Sequence, residues 1–483
     1  MGNKKTILEK YRLIPLQVRA SGWFFVCFMI QKLISVVSTA VFTRIMSTED
    51  YGLISIYNSW SDLFVMVASL NLAVGCFNVG MTRYENSRKQ WVSSLQILSI
   101  LTATVFSVLF ISTFTVWNRW VNLPFVCIMV MVITFFSIPA LNLWTAKQKY
   151  ECSYRKLVAV SVLYSALVFI VSLICVLVSE NKGITKIVTT AVVTSIIGLI
   201  LLFSNIIASE KKTNIEYIKF AFKYNTVMMP AFLATIILNQ IDRIMIDRMV
   251  SRDAAGIYSV SYNAAYMISI VSSAINATYN PWLMQKVKSK NYNNVDGIGT
   301  TVTGGLLLII FAFIFCAPEF VKIIASKEYY EAIYIIPSVA GSTFFSVIYT
   351  LYCPIAQYYV RVKQLSFITV VASIANVVLN YIAIRKWGYI AAGYTTYICY
   401  SIYGWGTGLY CLKILKENRM SGNIYNIKKL IVLTIALSLA VVIAPFLYDG
   451  YVVRYVLLAV VCVIFAYYGK KYKDTIMKMR EKR

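Results

Sequence analysis

Lys32, Asp62, Asp242, Arg243, Asp247 and Arg248 stand inside long apolar runs. A charge in hydrocarbon costs at least ~2.5 kcal/mol on insertion scales, so such residues face a partner or a wet cavity. Lys32 lies ten residues past Gly22, and Asp62 ten past Gly52. At ~1.5 Å per residue each is roughly 15 Å deep, entered from opposite sides. They read either as a buried ion pair on adjacent helices or as cavity charges that meet an anionic substrate or a coupling ion. Asp242 to Arg248 lies toward the outer end of its run. There Arg243 and Asp247, four apart, can pair with each other, and Arg248 can snorkel to the interface.

Neutral polar residues repeat at helical spacing. Tyr258, Tyr262, Tyr266, Ser269, Ser273, Asn276 and Asn280 step by three or four and share one face. On a membrane helix such a face suits the wall of a hydrophilic interior, and Tyr262 and Tyr266 offer an aromatic plate for a sugar ring. Ser366, Thr369, Ser373, Asn376 and Asn380 form a second face. Its Ser and Thr read as helix glue; for Asn376 and Asn380 a cavity contact stands level with that reading. Other chemistries lack their residues. Histidine is absent, which removes the commonest general base and metal ligand. No C-x-x-C occurs, and the ten cysteines, all but Cys152 in apolar spans, read as small buried hydrophobes. No phosphate-binding G-x-x-x-x-G-K-[ST] appears, so neither a nucleotide nor any other cofactor is expected.

The elements that must hold these residues are membrane helices. The chain has 483 residues, 59% hydrophobic and 14% charged, with a mean hydropathy of +0.69; a soluble protein carries roughly 25% charge. Apolar runs of about 20 residues fall at 22–45, 53–78, 93–116, 123–145, 157–179, 188–208, 226–250, 257–281, 298–318, 333–357, 365–384, 391–412, 430–448 and 452–468. An all-α fold of about fourteen membrane helices is expected. The first run is too long for a signal peptide and is expected to remain as the first helix. The net charge of +26 sits mostly in one set of alternate loops and both tails. That asymmetry favours cytoplasmic termini, with contact to lipid rather than to nucleic acid.

The halves echo each other. Arg44, Ser47, Gly52 and Ser55 recur as Arg248, Ser251, Gly256 and Ser259, each offset by 204 residues. Asn58, Asp62 and Ser69 then fall opposite Tyr262, Tyr266 and Ser273. The expected division is an N-terminal lobe (1–208), a cytoplasmic amphipathic linker (209–225), a C-terminal lobe (226–415), and two extra helices with a basic tail (416–483). Ile215, Ile218 and Phe222 are expected to lay the linker on the membrane. Repeats of this kind place a binding site near the bilayer midplane.

Four stretches, RIMSTEDYGLISIYNSW, DRIMIDRMVSRDAAGIYSVSYNAA, ASKEYYEAIYIIP and LNYIAIRKWGYIAAGYTT, resemble the polysaccharide transporter family, the Wzx-type O-antigen and capsule flippases. That family belongs to the superfamily of multidrug, oligosaccharidyl-lipid and polysaccharide exporters. The resemblance runs in order along the whole chain. It implies a transporter rather than an enzyme: two six-helix lobes around a central cavity, working by alternating access. It also implies a polyprenyl-pyrophosphate-linked oligosaccharide turned from the inner to the outer leaflet of a bacterial plasma membrane. Other polysaccharide-assembly proteins are then possible partners, and a coupling ion, H+ or Na+, stays open. Asp242 and Arg243 match the recurrent DR of the seventh span. A cation-coupled multidrug exporter is the nearer alternative. A membrane glycosyltransferase or polymerase is disfavoured by the short external loops.

Overall fold

The computed structural model describes residues 15–208, 213–290, 292, 294–418 and 424–481, those from 468 onward as backbone alone. The first four residues of the expected linker, and the side chains of most of the basic tail, lie outside that description. In hydrocarbon every backbone N–H and C=O must be satisfied within its own segment, which leaves helices as the form for long apolar runs. Among the described residues there are eighteen α-helices and no strand. The protein is a multi-pass membrane protein.

In order, the helices are α1 (Leu16–Ile45), α2 (Thr48–Ser69), α3 (Phe77–Arg83), α4 (Arg88–Ser112), α5 (Phe114–Val121), α6 (Phe125–Tyr150), α7 (Tyr154–Val178), α8 (Lys182–Ala208) and α9 (Ile215–Met249). There follow α10 (Arg252–Ala265), α11 (Ser269–Lys288), α12 (Val295–Phe315), α13 (Ala317–Ile324), α14 (Ile336–Tyr358), α15 (Val362–Trp387), α16 (Ala391–Glu417), α17 (Ile427–Ile443) and α18 (Tyr451–Glu481).

Ten of these helices are long and apolar enough to cross a membrane, against fourteen runs expected. The four others are present but fall short for local reasons. Helix α2 carries Glu49, Asp50, Asn58 and Asp62, and α16 is rich in Tyr and Gly. A 3₁₀ turn at Tyr266–Ile268 divides the run at 257–281 into α10 and α11. The apolar part of α18 is only Tyr451–Tyr467.

The chain forms two compact units, residues 1–244 and 245–483, whose boundary falls inside α9. The internal echo is visible in element bounds. Helices α1 and α9 end at Ile45 and Met249, and α2 and α10 begin at Thr48 and Arg252, each pair 204 apart. The intervening serines do the same work: Ser47 Oγ accepts from the Asp50 amide and Ser251 Oγ from the Ala254 amide, both at 3.1 Å. Each caps a helix N-terminus whose first amides have no partner along the chain. A short amphipathic helix follows in both units, α5 after α4 and α13 after α12.

The most extensive helix pairs also correspond, α6 with α8 and α14 with α16. Both crossings rest on a glycine. A Cβ on Gly198 would stand 2.5 Å from the Ser137 carbonyl oxygen, and one on Gly404 2.6 Å from that of Phe345. Close backbone approach at a small residue replaces the hydrophobic drive that lipid cannot supply.

Helix α9 runs for 35 residues without a break, so the described part of the expected linker is its first turns. Of the trio expected on the membrane, Ile218 packs inward, while Ile215 and Phe222 are exposed. The anchor is aromatic. Tyr217 stacks on Tyr84 with centroids 4.1 Å apart, and its hydroxyl meets Ser87 Oγ at 2.7 Å. Both sit on a core of Phe77, Met81, Trp91 and Ala221. One side of this segment thus buries its apolar surface against protein, while Ile215 and Phe222 stay exposed.

Candidate functional site

In the first unit α2 presents Asn58 and Asp62, one turn apart, on an accessible face. The Asp62 Oδ2 accepts from Gln240 Nε2 at 2.7 Å. The Gln240 Oε1 in turn accepts from Ser59 Oγ at 3.3 Å and from Arg243 Nη1. Arg243 Nη1 also donates to the Asn239 carbonyl at 2.9 Å. One amide therefore joins a carboxylate on α2 to a guanidinium on α9, and Arg243 attracts the Asp62 charge electrostatically. Arg243 and Asp242 are buried, 6% and 1% exposed, whereas Asp62 stays open. Burying a guanidinium requires this number of acceptors, because an unsatisfied charge in low dielectric is costly.

Lys32 and Asp62 are not brought together as an ion pair. Asp62 is bonded by Gln240, and the Lys32 ammonium lies over the Phe28 ring, 5.5 Å from its centroid. The cause is helix pairing: α1 packs mainly on α7, where Gln31 Nε2 donates to Ser165 Oγ at 3.3 Å. A second lysine escaped the sequence reading, which began that span at residue 188. Lys186 sits with its ammonium 3.5 Å from the Phe42 ring centroid and 5.5 Å from that of Tyr51. Cation–π contact of this kind stabilises a desolvated ammonium without a carboxylate.

In the second unit Asp247 takes its ion pair from Arg252, Nε to Oδ1 at 3.1 Å, and not from Arg243 one turn back. Arg248 is exposed. The 3₁₀ turn also rotates the expected seven-residue face. Tyr258 and Tyr262 are buried, while Tyr266 at the start of the turn (45% exposed) and Ser273 and Asn276 beyond it are open, joined by Asn263. Tyr262 and Tyr266 keep their rings parallel, 6.3 Å apart with 21° between planes. Asn280 Nδ2 donates to Asn276 Oδ1 at 2.6 Å.

Asn376 and Asn380 are wholly buried on α15. Asn380 Nδ2 donates to Asn376 Oδ1 at 3.2 Å, and Thr395 on α16 donates to Asn380 Oδ1. They join two helices and present nothing to a cavity. The residues that reasoning from sequence missed are Gln240, Ser59 and Asn263. Gln240 alone carried a usable signal, standing one turn before Arg243 in the LNQIDR stretch.

The polysaccharide biosynthesis protein family matches residues 18–287, more than half of the chain, and the chain belongs to that family. A probable low-salt glycan biosynthesis flippase, Agl15 of Haloferax volcanii, is 20% identical over 203 residues, 41% of this chain and 43% of that protein. The match thus spans less than half the length of that relative. Among solved structures, the lipid II flippase MurJ in an inward closed conformation superposes with a TM-score of 0.64 at 15% identity, covering 94% of this chain and 99% of that one. An inward-facing multidrug resistance MATE transporter of the MOP superfamily follows at 0.60 and 13% identity, covering 81% and 96%. At such identities the likeness is one of fold.

Proposed function

We propose that this chain is a flippase that carries a polyprenyl-pyrophosphate-linked oligosaccharide from the inner to the outer leaflet of a bacterial plasma membrane by alternating access, with both termini cytoplasmic. The observation that carries the reading is an open polar face in each of two units of an otherwise apolar protein, with Asp62 and Tyr266 204 residues apart. Asn58 and Asp62 form one; Asn263, Tyr266, Ser273 and Asn276 form the other. A membrane helix exposes Asn and Asp only where something polar is to be met. Membership of a polysaccharide biosynthesis family supports a glycan as that partner. In this reading Lys32 meets the pyrophosphate, Tyr266 stacks on a sugar ring, and Asp62, tied to Arg243 through Gln240, responds to substrate or to a coupling cation. Transport needs no covalent step, so no enzyme chemistry is assigned.

The test is a proteoliposome assay with a fluorescent polyprenyl-pyrophosphate oligosaccharide whose sugar is read by a non-permeant quencher. Protein should make the inner-leaflet pool accessible within the assay. Because Asp62 is bonded by Gln240 and not by Lys32, Lys32→Met leaves that carboxylate its partner: the variant should insert normally and slow flipping by at least about tenfold, the loss of one charge-assisted contact. Liposomes that move a cationic dye but not the glycolipid would replace the proposal with the drug-exporter reading, which the shared MATE-like fold keeps in play.

A further inference from the structure

Where the first turns of α1 meet those of α7, the first unit holds a cavity of about 390 Å³ lined by Trp23, Tyr154, Arg155, Val158 and Ala159. Trp23 and Tyr154 form one wall as parallel rings, 6.2 Å between centroids and 8° between planes. The neighbouring residues Leu157 and Phe24 belong to a buried apolar cluster with Trp144, Leu201 and Val160.

The rim is cationic. Arg155 and Lys156 are exposed, and Arg155 makes no hydrogen bond or ion pair among the described residues. Lys149, exposed at the end of α6, acts electrostatically on Cys27, one turn along α1 from Trp23. The KQKYECSYRK stretch sets Lys147, Lys149, Arg155 and Lys156 against Glu151 alone. A Trp and a Tyr at a membrane interface are by themselves an ordinary belt. Here a void stands beside the pair, and an unengaged guanidinium stands over the void.

We propose that this cavity binds one anionic phospholipid of the adjoining leaflet. The Arg155 fork receives the phosphate in the bidentate geometry that a guanidinium favours, with Lys156 and Lys149 adding attraction to an anionic surface. The glycerol and first methylenes lie between the Trp23 and Tyr154 rings and Val158. A neutral glycan would leave the rim cations unmatched, and a free phosphate would leave the apolar walls unfilled; an anionic lipid satisfies both.

Full-length protein in a neutral detergent is titrated separately with phosphatidylglycerol, with phosphatidylcholine of the same chains, and with inorganic phosphate, and complexes are followed by native mass spectrometry. One phosphatidylglycerol should be retained more tightly than any further copy and more tightly than phosphatidylcholine. Arg155→Met should weaken that first copy by roughly tenfold, as expected for one charge-assisted contact. Arg155→Lys, which keeps the charge but not the fork, should recover only part of the loss, and Ala159→Phe, which fills the cavity, should abolish binding of the first copy. Melting temperatures close to wild type certify the fold of each variant. Equal retention of phosphatidylcholine, undiminished binding by the Arg155→Met and Ala159→Phe proteins, or displacement of the lipid by millimolar inorganic phosphate would each overturn the proposal. None of these readouts depends on transport, so the flippase reading stands or falls separately.

Discussion

Gln240 is the side chain on which the charges of the first unit depend. Its oxygen accepts from Arg243 and Ser59, and its amide donates to Asp62. Replacing it by Leu keeps the volume close but strips both bonds from a buried guanidinium and an open carboxylate. The two losses are not equal. Asp62 is accessible and can turn to water, whereas Arg243 is buried, 6% exposed, and cannot replace the lost Gln240 acceptor with water. Gln240→Leu should therefore lower stability by about 1–3 kcal/mol, mostly through Arg243. Asp62→Asn, which can still accept from Gln240, should cost less than about 1 kcal/mol. Thermal unfolding of the two variants in the same detergent checks the order; an Asp62→Asn protein less stable than Gln240→Leu would show that the carboxylate is the structural member.

Between elements, the recurrence of helix ends at a 204-residue offset was plain in the chain. Ser47 and Ser251 precede Thr48 and Arg252 at an offset that four matched letters already set, and both serve as caps. What did not show was the partner of each helix. The depth argument put Lys32 level with Asp62 but knew nothing of α1 packing on α7. The face argument assumed one straight helix from Tyr258 to Asn280 and could not foresee the turn at Tyr266–Ile268, since no Gly or Pro marks it. Asn376 and Asn380 have the spacing of a cavity face, yet only tertiary packing decides whether a polar face meets water or a neighbouring helix. Glycine is the exception, because its contacts are set by backbone geometry. Gly198→Ala and Gly404→Ala place a methyl against a carbonyl oxygen that cannot rotate away. Each should destabilise its own unit by about 1–3 kcal/mol, as overpacking does. Gly22→Ala, with open space around it, should instead be neutral or slightly stabilising. Melting curves that rank the three otherwise would contradict the close helix crossings.

Over the whole molecule, 46 Lys and Arg stand against 20 Asp and Glu, and their placement bears on the direction of transport. The ends of α6 and α7 where they meet (Lys147, Lys149, Arg155 and Lys156) and the segment through the first turns of α9 (Lys211, Lys212, Lys219 and Lys223) carry an excess of basic residues, while the connection through α5 between α4 and α6 contains Arg119 alone. Lys and Arg in short loops resist translocation, so the proposed orientation keeps the basic set cytoplasmic. Helix α5, with Trp120 and Val116 exposed, and α13, with Ile323 exposed, then lie at the opposite interface. Single cysteines in a cysteine-free background decide the matter. A Cys at Asn122, beyond α5, should react with a membrane-impermeant maleimide in intact cells. A Cys at Glu151 should react only after the membrane is opened. The reverse pattern would turn the protein over in the bilayer and place the cavity beside Arg155 in the outer leaflet. It would also face the open polar residues of α2 and α10–α11 with a substrate delivered from the wrong side, and an inner-to-outer flippase could not then be built on them.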